Sequence, residues 1–188
     1  MIKILLKIKL FIVILTIGSV LKADPYSLAN ISQYLTNLKF LKADFLQTNV
    51  DGTASSGAIL IKRPGRMRFE YYKPDKTLVL ISSGALAIFD PKGDEEPITY
   101  PIKNNPISLV LTGEVDLLNS GIVENYEKSI EEAVLTVRDP KRPERGSVEL
   151  VFTGAKPELK QFSIKNENGS STSILLNDIE YPKKINET

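Results

Sequence analysis

Hydrophobic and polar positions follow a helical spacing near the start of this chain and then change to a strict alternation. The helical spacing predicts one amphipathic helix over residues 25–38, with Pro25 in its first turn and Asp24 as its cap. Its apolar stripe consists of Leu28, Ile31, Leu35 and Leu38.

From residue 39 onward the period is two, which is typical of strands with one buried face. Turn residues such as Asp51-Gly52 and Asn168-Gly169 separate the alternating segments. We therefore predict one long antiparallel sheet of about ten strands. The candidate segments are residues 42–50, 57–62, 67–72, 78–81, 86–89, 98–100, 122–128, 132–138, 147–153, 159–165 and 172–180.

A short apolar segment interrupts the alternation. Pro106 opens it and Gly113 closes it, the asymmetry expected of a short helix over residues 106–112. Its apolar residues lie on nearly all sides of the helix, so we expect other parts of the protein to pack against more than one of its sides. They are Ile107, Leu109, Val110 and Leu111.

A sheet of this size curls, and its inner face has to be filled. Only the two predicted helices are available, and two small helices need not fill a wide sheet to full packing density. The pattern is therefore compatible with an aliphatic cavity suited to flexible hydrocarbon. A dry, filled β-core produces the same alternation and is the more common outcome for such a pattern.

The first 23 residues have the anatomy of a secretory signal peptide. Lys3 and Lys7 precede a short apolar run over 10–21, and Ala23 offers a cleavage edge. We expect an exported chain, cleaved near Ala23, with one domain over residues 24–188. Leu21, at a position where a small residue is usual, keeps a retained membrane anchor as an alternative.

Composition excludes several kinds of site. The chain has no cysteine and no histidine, which excludes disulfides, lipid attachment through cysteine, His-ligated metals and Ser-His-Asp catalysis. Without the signal segment the chain is weakly acidic and has no basic stripe, so we expect no nucleic-acid partner.

We predict a protein that is not an enzyme, with no catalytic residue, metal or cofactor. A hydrolase using Asp44, Glu70 or Asp90 is the alternative, although no spacing marks a pair.

Several local strings occur in a familiar order between about residues 28 and 179. Together they resemble the outer-membrane lipoprotein carrier protein family (LolA), in the form seen in α-proteobacteria. The strings are Phe45-Leu46-Gln47-Thr48, the segment 61–71 around Arg63-Pro64-Gly65, Phe89-Asp90-Pro91, Tyr100-Pro101-Ile102 and the segment 105–111.

The resemblance implies a mainly β fold with two or three helices: an incomplete antiparallel β-barrel, lidded by helices, around a hydrophobic cavity. It implies a periplasmic chaperone, expected to be a monomer, that binds acylated lipoproteins. These come from an inner-membrane ABC-type releasing complex and go to an outer-membrane lipoprotein receptor. That receptor shares the fold but is anchored through an N-terminal cysteine, which this chain lacks.

The resemblance also assigns roles to residues. Arg63 occupies the position of an arginine that closes the lid by donating to helix carbonyls, which the motif places near Leu35, Val110 and Leu111. A solvated arginine in a turn is the alternative. The expected cavity-lining residues are Phe45, Met67, Phe69, Leu80 and Ile88.

Two further functions stay open at this stage. A periplasmic module that senses lipid or lipoprotein with the same half-barrel fold is one, and a carrier of free lipid is the other. The residues do not separate lipoprotein from free lipid as the ligand.

Overall fold

Eleven strands of the described chain form one antiparallel sheet in the computed structural model, which describes residues 24–91, 93 and 96–184. The predicted signal peptide, residues 1–23, lies outside the described residues. The strands are β1 (Phe40–Asn49), β2 (Ala54–Lys62), β3 (Arg66–Tyr71), β4 (Leu78–Ser82), β5 (Ala85–Phe89), β6 (Ile98–Pro101), β7 (Val123–Lys128), β8 (Glu132–Arg138), β9 (Ser147–Thr153), β10 (Glu158–Lys165) and β11 (Ser171–Glu180).

Two meanders meet in the middle of the sheet. The strand order is β6-β5-β4-β3-β2-β1-β11-β10-β9-β8-β7, so the first six strands run outward from the centre and the last five run back to it. β1 pairs with β11 along most of its length, with Phe45 opposite Leu176. The edges β6 and β7 are not neighbours in this order, so the barrel is open, as the resemblance implied.

The connection between the two edges carries the second helix. The chain leaves β6, passes through a 3₁₀ turn (Ile102–Asn104) and forms α2 (Ser108–Leu111) before it reaches β7. Because β6 and β7 lie at opposite ends of the sheet, this connection has to cross a face of it. The short helix predicted over 106–112 is therefore present, and it is shorter at both ends than expected.

The first helix, α1, covers Leu28–Asn37. Its cap is Ser27, whose Oγ accepts from the amide of Asn30 at 3.2 Å, and the expectation that Asp24 caps it is wrong. Asp24 instead accepts from the amide of Tyr26 at 3.0 Å in the preceding turn. Two possible caps stand three residues apart, and only the local backbone geometry decided between them.

The core lies between the helices and one face of the sheet, which we call the inner face. Ile31 and Leu35 of α1 are buried together with strand residues such as Leu135, Leu150 and Phe152. Tyr34 packs edge-on against Phe152, with ring centroids 5.8 Å apart. α1 therefore covers the β8–β10 side of the sheet.

Burial falls steadily toward the other edge. β4 and β5 are mostly half-buried, and all four residues of β6 are exposed. The inner face thus changes from packed core to open surface between β3 and β6. In the part of the chain that the structure describes, no helix is long and apolar enough to span a membrane.

Candidate functional site

A cavity of about 320 Å³ lies on the inner face, between the β3–β5 strands and the β10–β11 strands. Its lining is mostly aliphatic and aromatic, with neutral polar groups and no charged side chain among the described residues. The apolar lining residues are Met67, Phe69, Val79, Ile81, Leu86, Ile88, Ile107, Phe162, Ile164 and Ile174. The polar ones are Gln47, Tyr71, Asn105, Asn166 and Thr172.

Several polar side chains of the cavity are hydrogen-bonded to neighbouring groups. The Tyr71 hydroxyl donates to Gln47 Oε1 at 2.6 Å, and Gln47 Nε2 donates to Asn49 at 2.9 Å. Asn105 Oδ1 accepts from the amide of Ile107 at 3.0 Å. Burial raises the pKa of Tyr71 to about 12, so its hydroxyl is a neutral donor. This network leaves an uncharged wall, which favours an apolar ligand.

Three of the five expected lining residues lie in the cavity wall: Met67, Phe69 and Ile88. Phe45 lies on the same face but behind the wall. Its ring packs edge-on against the rings of Phe69 and Tyr71, with centroids 5.5 and 5.2 Å apart. Phe45 therefore supports the lining and does not form it.

Leu80 is on the wrong face for a lining residue. It pairs with Arg68 on β3 and Ala87 on β5, whereas the inward residues of β4 are Val79 and Ile81. Every residue from Leu78 to Ile81 is apolar, so no alternation distinguishes the two faces of β4. The register set by β3 decides the face, because a shift of one residue exchanges the two faces of a strand.

The apolar lining residues of the strands that sequence reasoning missed come from β4, β5, β10 and β11. Leu86 was detectable, since it shares a face with Ile88 and alternates with alanines. Ile164 and Ile174 were not, because their contribution depends on the far half of the sheet curling toward β3–β5.

Arg63 lies in the turn between β2 and β3, under the end of α2. Its Nη2 donates to the carbonyl of Thr112, the residue that follows α2. The amide of Gly65, which has a φ of 72°, donates to the carbonyl of Leu111 at 2.9 Å. The turn thus holds two terminal carbonyls of α2, groups that an α-helix leaves without intrahelical partners. We call these two bonds the α2 clamp.

The carbonyl partners implied for Arg63 are partly wrong. The guanidinium reaches Thr112 and not Leu35 or Val110, and the Leu111 carbonyl is taken by Gly65. A solvated turn arginine is also excluded, because only 7% of Arg63 is exposed. The end of a one-turn helix is set by tertiary packing, so the motif placed the contact one residue too early.

The Arg63 guanidinium is incompletely bonded. Its Nε and Nη1 are buried and have no hydrogen-bond partner among the described residues. Burial lowers the pKa of Arg63, although an arginine stays protonated at neutral pH. It borders a void of about 30 Å³ together with Leu35, Met67 and Val110. The bond from Arg63 to Thr112 favours the closed position of α2. Burying a charged group with two unpartnered donors costs free energy, and this cost opposes the closed position.

The two lid elements are tied to each other. After α2, the amide of Val115 donates to Thr36 Oγ1 at 3.2 Å and the amide of Leu117 donates to Ser32 Oγ at 2.9 Å. Both hydroxyls lie on α1, so the segment that follows α2 is bonded to α1 by side chains. The eight expected lid residues all belong to the core or pack against it; they are Leu28, Ile31, Leu35, Leu38, Ile107, Leu109, Val110 and Leu111.

The carboxylates considered for a hydrolase are not brought together on the inner face. Asp44 and Glu70 point to the exposed outer face, where Asp44 accepts from the Tyr72 hydroxyl at 2.8 Å and Glu70 pairs with Arg68. Among the described residues, no cluster of three or more His, Cys, Asp or Glu side chains could hold a metal.

Comparison with known proteins decides the family. The family model described as "Outer membrane lipoprotein carrier protein LolA" matches residues 36–188. The chain belongs to the LolA family. The match includes the Arg63 turn, the cavity strands and α2.

Individual relatives are distant. An outer-membrane lipoprotein carrier protein from Methylococcus capsulatus is 24% identical over 84% of this chain and 78% of its own length. One from Coxiella burnetii is 30% identical over 55% of this chain and about half of its own length, 53%. A solved LolA superfamily protein from Nitrosomonas europaea is 10% identical, with a TM-score of 0.43 over 85% of this chain and 95% of its own. The sequence relatives come from other proteobacteria, so they do not support the α-proteobacterial form of LolA.

Proposed function

We propose that this LolA-family chain is a periplasmic carrier that binds the acyl chains of lipoproteins. In this proposal it receives them from an inner-membrane releasing complex and delivers them to an outer-membrane receptor. The observation that carries it is the uncharged, apolar cavity beside the start of α2, a short helix whose end is bonded to the Arg63 turn, Arg63 to Thr112 and Gly65 to Leu111.

Energetics explain why such a carrier is needed. Burying hydrocarbon gains about 0.8 kcal/mol per CH₂, so an acyl chain of ordinary length gains roughly 10 kcal/mol. A lipoprotein therefore does not cross an aqueous compartment unaided. The carrier has to hold the chains, yet less firmly than the receptor does.

The α2 clamp supplies a way to weaken the hold. Loading the cavity requires α2 to move, which breaks the bonds to Leu111 and Thr112. A hydrogen bond from a charged donor contributes about 1.5–3 kcal/mol, and each unpartnered buried donor costs about 1–3 kcal/mol. Because these contributions oppose each other, Arg63 biases the lid toward closure without locking it.

The decisive variant is Arg63→Leu. We expect it to load a triacylated lipopeptide at least as well as the wild type, and to pass it to the receptor on the order of tenfold more slowly, since the closed empty state loses its bond to Thr112. Transfer is measured with purified carrier and receptor. Arg68→Leu is the matched control, because it removes a guanidinium from the outer face of the next strand.

Two outcomes contradict this role. Arg63→Leu transferring at the wild-type rate would show that the clamp does not set release. Weaker loading by Arg63→Leu would show that the desolvation of the guanidinium outweighs its bond to Thr112, so that the arginine opens the lid.

The ligand class has a separate test. Mass spectrometry of the protein purified from periplasm without detergent is expected to find a co-purifying acylated lipoprotein. A co-purifying free phospholipid or fatty acid would instead support the lipid-carrier alternative, and hydrolysis of added esters would contradict the inference that the chain is not an enzyme.

Export is part of the same proposal. Residues 1–23 would be removed near Ala23, leaving a single domain from residue 24 onward that acts as a monomer. N-terminal sequencing of the periplasmic protein tests the cleavage, and a retained start at Met1 in the membrane fraction would support the anchor alternative.

A further inference from the structure

The inner face of the sheet continues past the cavity to an uncovered edge. β6 is an edge strand, and its two large apolar side chains, Ile98 and Tyr100, are 59% and 53% exposed. Exposed apolar side chains mark a binding surface when they form part of a contiguous patch, and not when they are scattered singly. We call Ile98 and Tyr100 the β6 rim.

Strand register connects the β6 rim to the cavity. Ile98 pairs with Ile88 and Tyr100 pairs with Leu86, and both partners line the cavity. Directly paired residues on one face of an antiparallel sheet have Cβ atoms about 4.5–5.5 Å apart. Each rim side chain is therefore the lateral neighbour of a lining residue, on the same face, and the apolar surface is continuous from the cavity to the edge.

The cavity is small for the cargo proposed above. Its volume of about 320 Å³ is at the lower end of the range of about 300–1,000 Å³ that holds one drug-sized ligand. A lipoprotein with several acyl chains brings much more hydrocarbon than that. Part of it needs another apolar surface, and the β6 rim adjoins the cavity on the same face of the sheet.

We propose that the β6 rim is a second binding surface for hydrocarbon, which receives the part of a multiply acylated ligand that the cavity does not hold. This inference rests on the proposed carrier function and deepens it. Hydrocarbon is the favoured occupant because the rim is continuous with a lining that has no charged side chain among the described residues. The outward neighbour on the strand, Thr99, is polar and belongs to the opposite face.

Tryptophan reporters test the inference directly, because the chain has no tryptophan of its own. Ile98→Trp places a reporter on the rim, and Thr99→Trp is the matched control on the same strand and the other face. The full exported chain is mixed with a synthetic triacyl lipopeptide whose acyl chains carry bromine, a contact quencher. We expect strong quenching of the reporter at 98 and little at 99.

A second measurement separates the rim from the cavity. Ile98→Ser combined with Tyr100→Ser is expected to weaken binding of the triacyl lipopeptide about tenfold or more, the equivalent of losing one or two buried aliphatic groups. Binding of a single-chain fatty acid, which the cavity can hold, is expected to change less than about twofold.

Native mass spectrometry of each mixture keeps the two proposals distinguishable. If the complex forms but the reporters at 98 and 99 are quenched equally, the rim inference is wrong and the carrier function stands. If no complex forms with any variant, the proposed carrier function is wrong. A change in Ile98→Trp fluorescence that depends on protein concentration without lipid would assign the rim to a second copy of the chain and overturn the inference.

Discussion

Gly57 shows how one residue shapes the support of the cavity. It lies in β2 directly opposite Phe45 on β1 and Tyr71 on β3. A Cβ at this position would stand 2.7 Å from the Phe45 ring and would also overlap the Glu70 carbonyl. The missing side chain therefore leaves the space in which Phe45 reaches Phe69 and Tyr71 edge-on.

We expect Gly57→Ala to destabilise the fold by about 1–3 kcal/mol or more, the usual cost of overpacking, because backbone and a buried ring have to move. Urea unfolding measures this free energy. Gly113→Ala is the matched control, since the nearest atom to its Cβ would be at 3.9 Å, an ordinary contact. Equal stability of the two variants would contradict the packing argument.

The buried hydroxyl of Tyr71 predicts that the fold loses stability at alkaline pH. Its pKa is raised to about 12, first by burial, then by the charge of Asp75, while the bond to Gln47 opposes the shift. In the unfolded chain the hydroxyl has the ordinary tyrosine pKa of about 10, so the stability contribution is complete below pH 10 and is lost as pH rises toward about 12.

The measurement is the free energy of unfolding as a function of pH. The wild type is expected to lose stability between about pH 10 and 12, and Tyr71→Phe is expected to lose less over that window, because phenylalanine has no proton to release. Tyr100→Phe, which alters an exposed tyrosine, serves as the control. Parallel curves for wild type and Tyr71→Phe would rule out this assignment.

At the scale of elements, the lid depends on side-chain bonds more than on helix length. α2 has four residues, too few to be stable alone, and is held by the α2 clamp and by burial of Ile107, Val110 and Leu111. Ser32 and Thr36 then tie the following segment to α1. Movement of α2 is thereby coupled to α1 through hydroxyl groups.

Ser32→Ala tests this coupling. It leaves the buried amide of Leu117 without its acceptor, a loss of about 1–3 kcal/mol. We expect hydrogen exchange of the Leu117 amide to accelerate about tenfold or more, with little change in β8 and β9. Gln33→Ala, at the next and exposed position of α1, is the control. Unchanged exchange at Leu117 would show that the segment is held by other contacts.

At the scale of the whole molecule, some strands of the sheet stabilise the fold and others leave apolar surface free for binding. β8 and β9 are packed under α1, with Leu135, Val137 and Val148 fully buried. Strands β4–β6 are mostly half-buried or exposed on their inner face, apart from the buried Ile81. β8 and β9 therefore mainly supply stability, whereas β4–β6, together with the β10 and β11 residues of the cavity wall, leave apolar surface available to a ligand.

Adjacent residues of β4 test which face binds. Val79→Ser places a polar group in the cavity wall, and Leu80→Ser makes the same kind of change on the outer face. We expect Val79→Ser to weaken lipopeptide binding about tenfold and Leu80→Ser to change it less than about twofold. Titration with a triacyl lipopeptide checks this, and a greater loss in Leu80→Ser would place the ligand on the outer face.

How far the sequence predicts this protein depends on whether a feature is local. Strict alternation located the strands to within a few residues and placed Met67 and Phe69 on one face, because side chains of a strand alternate. It failed at Leu80, where neighbouring positions are all apolar. The family resemblance identified Arg63 but misplaced its partner, because a contact over 49 positions depends on where α2 ends.

The sequence by itself determined the element types, the order of strands along the chain, the absence of histidine and cysteine chemistry, and the kinship with lipoprotein carriers. The first three follow from composition, periodicity and turn residues, and the kinship follows from the local strings that resemble the family; each is readable over a short window. Only the tertiary structure decided that two meanders join at β1 and β11, that the crossing connection places α2 over Arg63, and that the apolar inner face runs on to Ile98 and Tyr100. Each of these requires residues far apart in the chain to meet, and the register of the sheet alone brings them together.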